Sequence, residues 1–311
     1  MDSIDKKIIA VVRLMRPIHW VKNAAVFAGI IFTGQLLERE QFWAVFEAFW
    51  AFNLAASATY AFNDVLDRNR DRLHPIKKHR PIAAGIISPT FGLGFSLFLA
   101  ITALSLASVI SEFFGIMILG YLILQILYSI SLKNIPVVDI IVIASGFVIR
   151  IYAGAYIIDA HLSVWFLLCV VSTALFLASG KRRAELGVIG ESGETRKSLT
   201  RYTADALNSY VTMFGNASWM SWALFTFFES PRAATPLVLF LAEISRTTTI
   251  NKLLMITIPV TIFGIMRYQG LIFTKRAEAP EKLLLTDIGL MVSVVTWISI
   301  VLFIYYGGVT L

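Results

Sequence analysis

The residues best equipped for chemistry lie between Tyr60 and Gly85, where Asp64, Asp67 and Asp71 alternate with six Lys and Arg residues in a chain that is 57% hydrophobic. A helix over Phe62–Arg72 would set the three carboxylates at i, i+3 and i+7 on one face, with Asn63 beside them and Tyr60 a turn before. Three carboxylates on one face repel unless a cation sits among them. Oxygen-only ligands point to Mg²⁺, which keeps waters and shares itself with substrate phosphates. The basic run Arg72–Arg80, with Lys77 and Arg80, supplies donors for the same phosphates. The pattern describes a Mg²⁺-diphosphate site at a membrane surface. The bland alternative is a solvated basic loop with incidental Asp residues, but loop composition alone does not align three carboxylates.

The elements that position this stretch are membrane spans. With 311 residues, 15% of them charged, and a mean hydropathy of +0.74, the chain reads as a polytopic membrane protein, all-α, in one domain over 1–311. No polar stretch is long enough for an independent soluble core. Nine apolar spans are expected: Trp20–Leu37, Gln41–Phe62, Ala84–Ile110, Phe113–Leu132, Val137–Ile158, Leu162–Ser179, Ser209–Glu229, Ile250–Ile272 and Asp287–Tyr306. Of the 27 Lys and Arg residues, 22 fall on one side of that arrangement. The positive-inside rule makes that side cytoplasmic, with the amino terminus inside, the carboxyl terminus outside and the site at the cytoplasmic face of a cell (inner) membrane. The net charge of +7 therefore belongs to loops and not to a nucleic-acid surface. The single cysteine, Cys169, excludes an intramolecular disulfide or Cys-based metal site, and residues 1–16 show no cleavable signal peptide.

Residues 1–16 alternate apolar and basic side chains, which suits a helix lying in the interface and ended by Pro17. Beyond it, Arg16, Lys22 and Asn23 stand as donors at the mouth of the first span, with Trp20 an interfacial anchor. Three cytoplasmic loops are expected, at 63–83, 180–208 and 267–286. Ser88-Pro89 reads as a cap and first-turn proline for the third span. The short connection before the fifth span carries Lys133 and Asp139, and Arg150 lies on the same helix face as Asp139, about 16 Å deeper. A charge at that depth marks either an internal pair or a substrate contact. The loop after the sixth span opens Lys181-Arg182-Arg183, a candidate anion clamp, and its Gly187–Gly193 stretch suggests a lid. Pro231–Ser245 is apolar but too short to span.

Taken together, Asn63-Asp64-Val-Leu-Asp67-Arg-Asn-Arg-Asp71 and Arg80-Pro81-Ile82-Ala83-Ala84-Gly85 resemble the UbiA superfamily of intramembrane prenyltransferases. Arg16-Pro17-Ile18-His19-Trp20-Val21-Lys22-Asn23, Leu132-Lys133 with Asp139, and Lys181-Arg182-Arg183-Ala184-Glu185-Leu186 are similar to its decaprenyl-phosphate phosphoribosyltransferase branch. Where aromatic prenyltransferases carry a second Asp-rich motif, this chain is basic, which fits a lipid monophosphate held directly by cations. The resemblance implies transfer of 5-phosphoribose from phosphoribosyl diphosphate to a polyprenyl phosphate, with Mg²⁺ as cofactor, for cell-envelope glycan synthesis. It implies Asp64, Asp67 and Asp71 as metal ligands, Asn63 and Tyr60 as supporting groups, and Lys22, Asn23, Lys77, Arg80, Lys133, Lys181 and Arg182 as phosphate contacts. Asp139 would meet ribose hydroxyls or support Lys133. Expected partners are those two substrates and membrane lipids, with a homo-oligomer left open. Two rival readings remain: prenyl transfer from a polyprenyl diphosphate to an aromatic acceptor, and a transporter of phosphorylated metabolites, which would bind near the midplane.

Overall fold

The computed structural model describes residues 3–73, 77–188, 201–229, 248–274 and 280–307, and within them every regular element is helical. The order is α1 (Ser3–Met15), a 3₁₀ segment (Pro17–Phe27), α2 (Ala28–Phe32), α3 (Arg39–Leu66), α4 (Arg68–Leu73), a 3₁₀ turn (Lys77–His79), α5 (Pro89–Ile110), α6 (Glu112–Ile130), a 3₁₀ turn (Leu132–Asn134), α7 (Val138–Ile157), α8 (Val164–Val188), α9 (Ala204–Phe228), a 3₁₀ segment (Thr248–Ile256), α10 (Thr257–Phe273), α11 (Pro280–Thr286) and α12 (Ile288–Tyr306). Six stretches among the described residues are long and apolar enough to cross a membrane: Pro89–Ile110, Glu112–Ile130, Val138–Ile157, Val164–Leu186, Lys252–Phe273 and Ile288–Tyr306. The chain is a multi-pass membrane protein. Of the other three expected spans, α3 (28 residues) and α9 (25 residues) are long enough but less apolar.

The first expected span, Trp20–Leu37, is not one α-helix. Arg16 adopts the left-handed conformation (φ 54°, ψ 62°), Pro17 follows, and eleven residues of 3₁₀ helix lead into a five-residue α2. At 2.0 and 1.5 Å per residue the two pieces still cover about 30 Å. Their thinness permits close packing on α7: a Cβ on Gly154 would stand 2.0 Å from the Val26 carbonyl oxygen.

The chain divides into two compact units. The first contains residues 1–30, 38–160 and 188–202. Its centre is α3, whose Ala48, Ala51, Ala55, Ala58 and Ser57 are buried. Small side chains let neighbouring helices approach where lipid offers no hydrophobic drive for association. Ser88 caps α5 as expected, its Oγ accepting from Phe91 N at 3.2 Å. Ala10 and Leu14 of α1 pack with Ala61, Ile82 and Ile87. The second unit contains residues 31–37, 161–187 and 203–311. Its core gathers Phe32 against Phe166 and Trp222, with ring centroids 4.9 and 5.7 Å apart, while Trp222 Nε1 donates to Thr257 Oγ1 at 2.9 Å. Arg267 donates twice to Asp287, at 3.0 and 2.7 Å, and Asp287 also caps α12 at Leu290 N. Most of the Gly187–Gly193 stretch and all of Pro231–Ser245 lie outside the described residues.

Candidate active site

Within the first unit, the last two turns of α3 deliver Tyr60, Asn63 and Asp64. The helix then breaks for one residue. Asp67 leaves helical geometry (φ −87°, ψ 5°) while its N–H still reaches the Asn63 carbonyl, and Asp71 N donates to the Asp67 carbonyl at 2.8 Å as α4 resumes. A single helix over Phe62–Arg72 is thus corrected to two helices joined at Asp67. The junction re-aims the middle carboxylate. Asp67 Oδ2 accepts from Asn63 Nδ2 at 2.9 Å, and its Oδ1 accepts from Lys133 Nζ at 2.9 Å. Lys133, 5% exposed, also approaches Asn63 Oδ1 at 3.4 Å.

Asp64 and Asp71 are 2% and 3% exposed, and a charge so buried needs compensation. One nitrogen of Arg80 serves both: Nη1 lies 3.1 Å from Asp64 Oδ1 and 2.6 Å from Asp71 Oδ2. Arg80 is held in place by local backbone structure. Its N–H bonds the Lys77 carbonyl, Ala84 N bonds its own carbonyl, Gly85 turns the chain at φ 77°, and Arg72 Nε ties α4 to the Ala83 carbonyl at 3.1 Å. Asp64 Oδ1 also accepts from Arg16 Nη2. The Arg16 guanidinium lies 5.0 Å over the Tyr60 ring, and burial pulls its pKa below the ordinary arginine value while Asp64 opposes the shift. Proline disfavours helix at the residue before it, which turns Arg16 out of α1 and back toward α3.

No three His, Cys, Asp or Glu side chains converge on one point among the described residues. Two carboxylates do converge, with Arg80 Nη1 bridging them as a cation would. All donors are hard oxygens. The set fits a Mg²⁺ ion that takes a few protein carboxylates and completes its shell from waters and phosphate.

The other expected contacts take different places. Asn23, 1% exposed, is committed inside the first unit: its Nδ2 donates to Asn53 Oδ1 at 2.6 Å and its Oδ1 accepts from Arg150 Nε at 2.5 Å. Arg150 also donates to the Gly146 carbonyl and to Tyr121 Oη at 2.7 Å, and faces the Tyr121 ring at 4.9 Å. The intramembrane arginine is thus solvated by neutral acceptors and aromatic faces. Lys22 and Lys77 are half-buried and already engaged. Asp139, 0% exposed, accepts from Tyr202 Oη at 2.8 Å, and the same hydroxyl accepts from Val137 N. Trp20 donates to Ser57 Oγ at 3.1 Å. In the second unit Arg182 is fully buried and paired with Glu185, Arg183 Nε donates to Asn208 Oδ1 at 2.7 Å, and Lys181 is half-buried and engaged. All three cations of the expected clamp are thus engaged within the chain. Sequence reasoning missed the Arg16–Asp64 pair, signalled only by Arg16-Pro17, and the Tyr202 clamp, which nothing in the sequence signals.

A multi-pass helical membrane protein with an acidic helix junction bracketed by basic groups defines a class of membrane-embedded transferases. Residues 24–180 match the model of the UbiA prenyltransferase family. The decaprenyl-phosphate phosphoribosyltransferase of Corynebacterium glutamicum is 34% identical over 95% of this chain and 86% of its own. That of Mycobacterium tuberculosis is 32% identical over 94% and 93%. A UbiA homolog from Archaeoglobus fulgidus, solved with GPP and Mg²⁺, superposes with a TM-score of 0.70 at 18% identity, over 94% of this chain and 99% of that one. The chain belongs to the UbiA prenyltransferase family and is a transferase.

Proposed function

We propose that the protein transfers 5-phosphoribose from phosphoribosyl diphosphate to a polyprenyl phosphate in a Mg²⁺-dependent reaction that releases diphosphate. The observation that carries this reading is the similarity to decaprenyl-phosphate phosphoribosyltransferases over nearly the whole chain. In the reaction the C1–O bond to diphosphate breaks and its electron pair leaves with the diphosphate. An oxygen of the lipid phosphate forms the new C1–O bond. That oxygen is already ionised at neutral pH, so no general base is needed.

Asp64, Asp71 and Asp67 are the proposed Mg²⁺ ligands; the bound ion would neutralise charge building on the departing diphosphate. Arg80 and Arg16, beside Asp64, are placed to meet phosphate oxygens. Lys133 and Asn63 orient Asp67. Lys22, Lys77 and Lys181 are the further proposed phosphate donors, while Asn23, Arg182 and Asp139 act through the groups they hold. We place the site at the cytoplasmic face of the cell membrane, with the amino terminus inside, and assign the product to cell-envelope glycan synthesis.

The test is incubation of purified protein with Mg²⁺, polyprenyl phosphate and ribose-labelled phosphoribosyl diphosphate. Label should move into the organic phase. No transfer of label, with prenylation of an aromatic acid from a polyprenyl diphosphate in parallel, assigns the protein to the aromatic branch.

A further inference from the structure

Apart from the acidic junction, the first unit holds a cavity of about 580 Å³ whose lining includes Lys7 and Val11 of α1, Arg68 of α4, and Ile86, Ser88 and Phe91 at the start of α5. Among the described residues its wall contains two cations and no carboxylate. Neither cationic side chain has an ion pair or hydrogen bond among the described residues, and Arg68 Nε is buried without an acceptor. A buried donor left unsatisfied is costly and calls for an acceptor from outside the chain. Ser88 Oγ accepts from Phe91 N at 3.2 Å and lies 3.1 Å from Thr90 Oγ1, within hydrogen-bond reach.

The rest of the wall is apolar and opens toward an apolar rim. Ile86 and Phe91 are 50% and 51% exposed, and on α1 Ile8 and Val12, one turn apart, are 58% and 48% exposed. The opposite face of α1 is fixed to the unit through Ala10 and Leu14. A helix docked by one face, with the apolar Ile8 and Val12 exposed on the other, sits at the level where lipid headgroups meet acyl chains. The turn below it is rigid: Ile86 N and Ile87 N both bond the Pro81 carbonyl, at 3.0 and 3.1 Å.

We infer that Lys7 and Arg68 form a headgroup site for an anionic phospholipid, held between α1 and the start of α5. The phosphate satisfies the two cations, and the acyl chains run along Val11, Ile86 and Phe91. A zwitterionic headgroup would bring a third cation into a wall whose described residues include no acid. Inorganic phosphate would leave the apolar wall uncovered. The lipid steadies the helix whose next residue, Arg16, reaches Asp64, so occupancy links membrane composition to the acidic junction. The site does not depend on which reaction the protein performs.

The experiment is native mass spectrometry of the full chain, delipidated in neutral detergent and offered equal amounts of dioleoylphosphatidylglycerol and dioleoylphosphatidylcholine. The expected result is a preference of about thirtyfold for the glycerol lipid, the magnitude that two basic groups at an anionic surface supply. Lys7→Gln with Arg68→Gln should bring the preference to parity. Ile86→Trp, which fills the cavity and leaves both charges, should lower retention of the glycerol lipid. Equal retention of the two lipids by the unmodified chain overturns the proposal, and that comparison stands even where a variant fails to fold. Persistence of the preference in both variants overturns it too. Displacement of the glycerol lipid by equimolar inorganic phosphate would make this a soluble-anion site and refute the lipid assignment.

Discussion

Asp67 and Asp64 occupy positions of equal standing in the motif but differ in what surrounds them. Asp64 is 2% exposed and compensates two guanidinium groups, whereas the Asp67 side chain is 18% exposed and meets Lys133. Asp67→Asn should lower turnover by about a hundredfold and also lower the thermal midpoint, because it leaves the buried Lys133 ammonium without its carboxylate. Asp64→Asn should lower the midpoint less, because its partners Arg16 and Arg80 are only half-buried and Arg80 keeps Asp71. Thermal unfolding beside a turnover assay separates the two, and equal midpoints would contradict the ion-pair account. Arg150 is a third case. Arg150→Gln removes donors from Asn23 and Tyr121, at about 1–3 kcal/mol for each buried group left unsatisfied. The expected outcome is a lower thermal midpoint with an unchanged KM for either substrate. A raised KM and an unchanged midpoint would return Arg150 to the substrate site. The convergence of Asp64 and Asp71 was legible in their spacing, but the turning of Asp67 toward Lys133 was not. The compensation of Asp64 by Arg16 was not legible either, since that pair joins residues 48 positions apart.

At the scale of elements, apolar runs with clear ends gave α5, α6, α7 and α12 close to their expected limits, because burial in lipid writes itself directly into composition. The segment Pro17–Phe27 was not legible as 3₁₀ helix. Its geometry follows from the left-handed Arg16 and from the close approach of Val26 to Gly154, a tertiary contact. The break at Asp67 was equally hidden, as Val-Leu-Asp-Arg carries no helix breaker. Another element acts at a distance on the site. Val137 stands at φ 68°, an unfavourable region for a β-branched residue, and Tyr202 Oη holds its N–H and Asp139 together just after the turn that carries Lys133. Tyr202→Phe should loosen that turn and raise the KM for the diphosphate donor about tenfold with little change in kcat. An equal fall in kcat with constant KM would place Tyr202 in the chemical step instead.

For the whole molecule, the positive-inside count predicts a cytoplasmic amino terminus and an external carboxyl terminus. A reporter fused after Leu311 should be active only outside; cytoplasmic activity would mean an even number of crossings. The membrane class and the family follow from features distributed over the entire chain. Division into two compact units does not, because no linker or composition shift marks it. The acidic junction is proposed to bind a diphosphate through Mg²⁺. The most direct measurement is equilibrium binding of labelled phosphoribosyl diphosphate to the purified chain without lipid acceptor, with Mg²⁺ titrated and EDTA as control. The account predicts binding that requires the metal and is lost in Asp67→Asn. Metal-independent binding of equal strength, unchanged by that substitution, would contradict it.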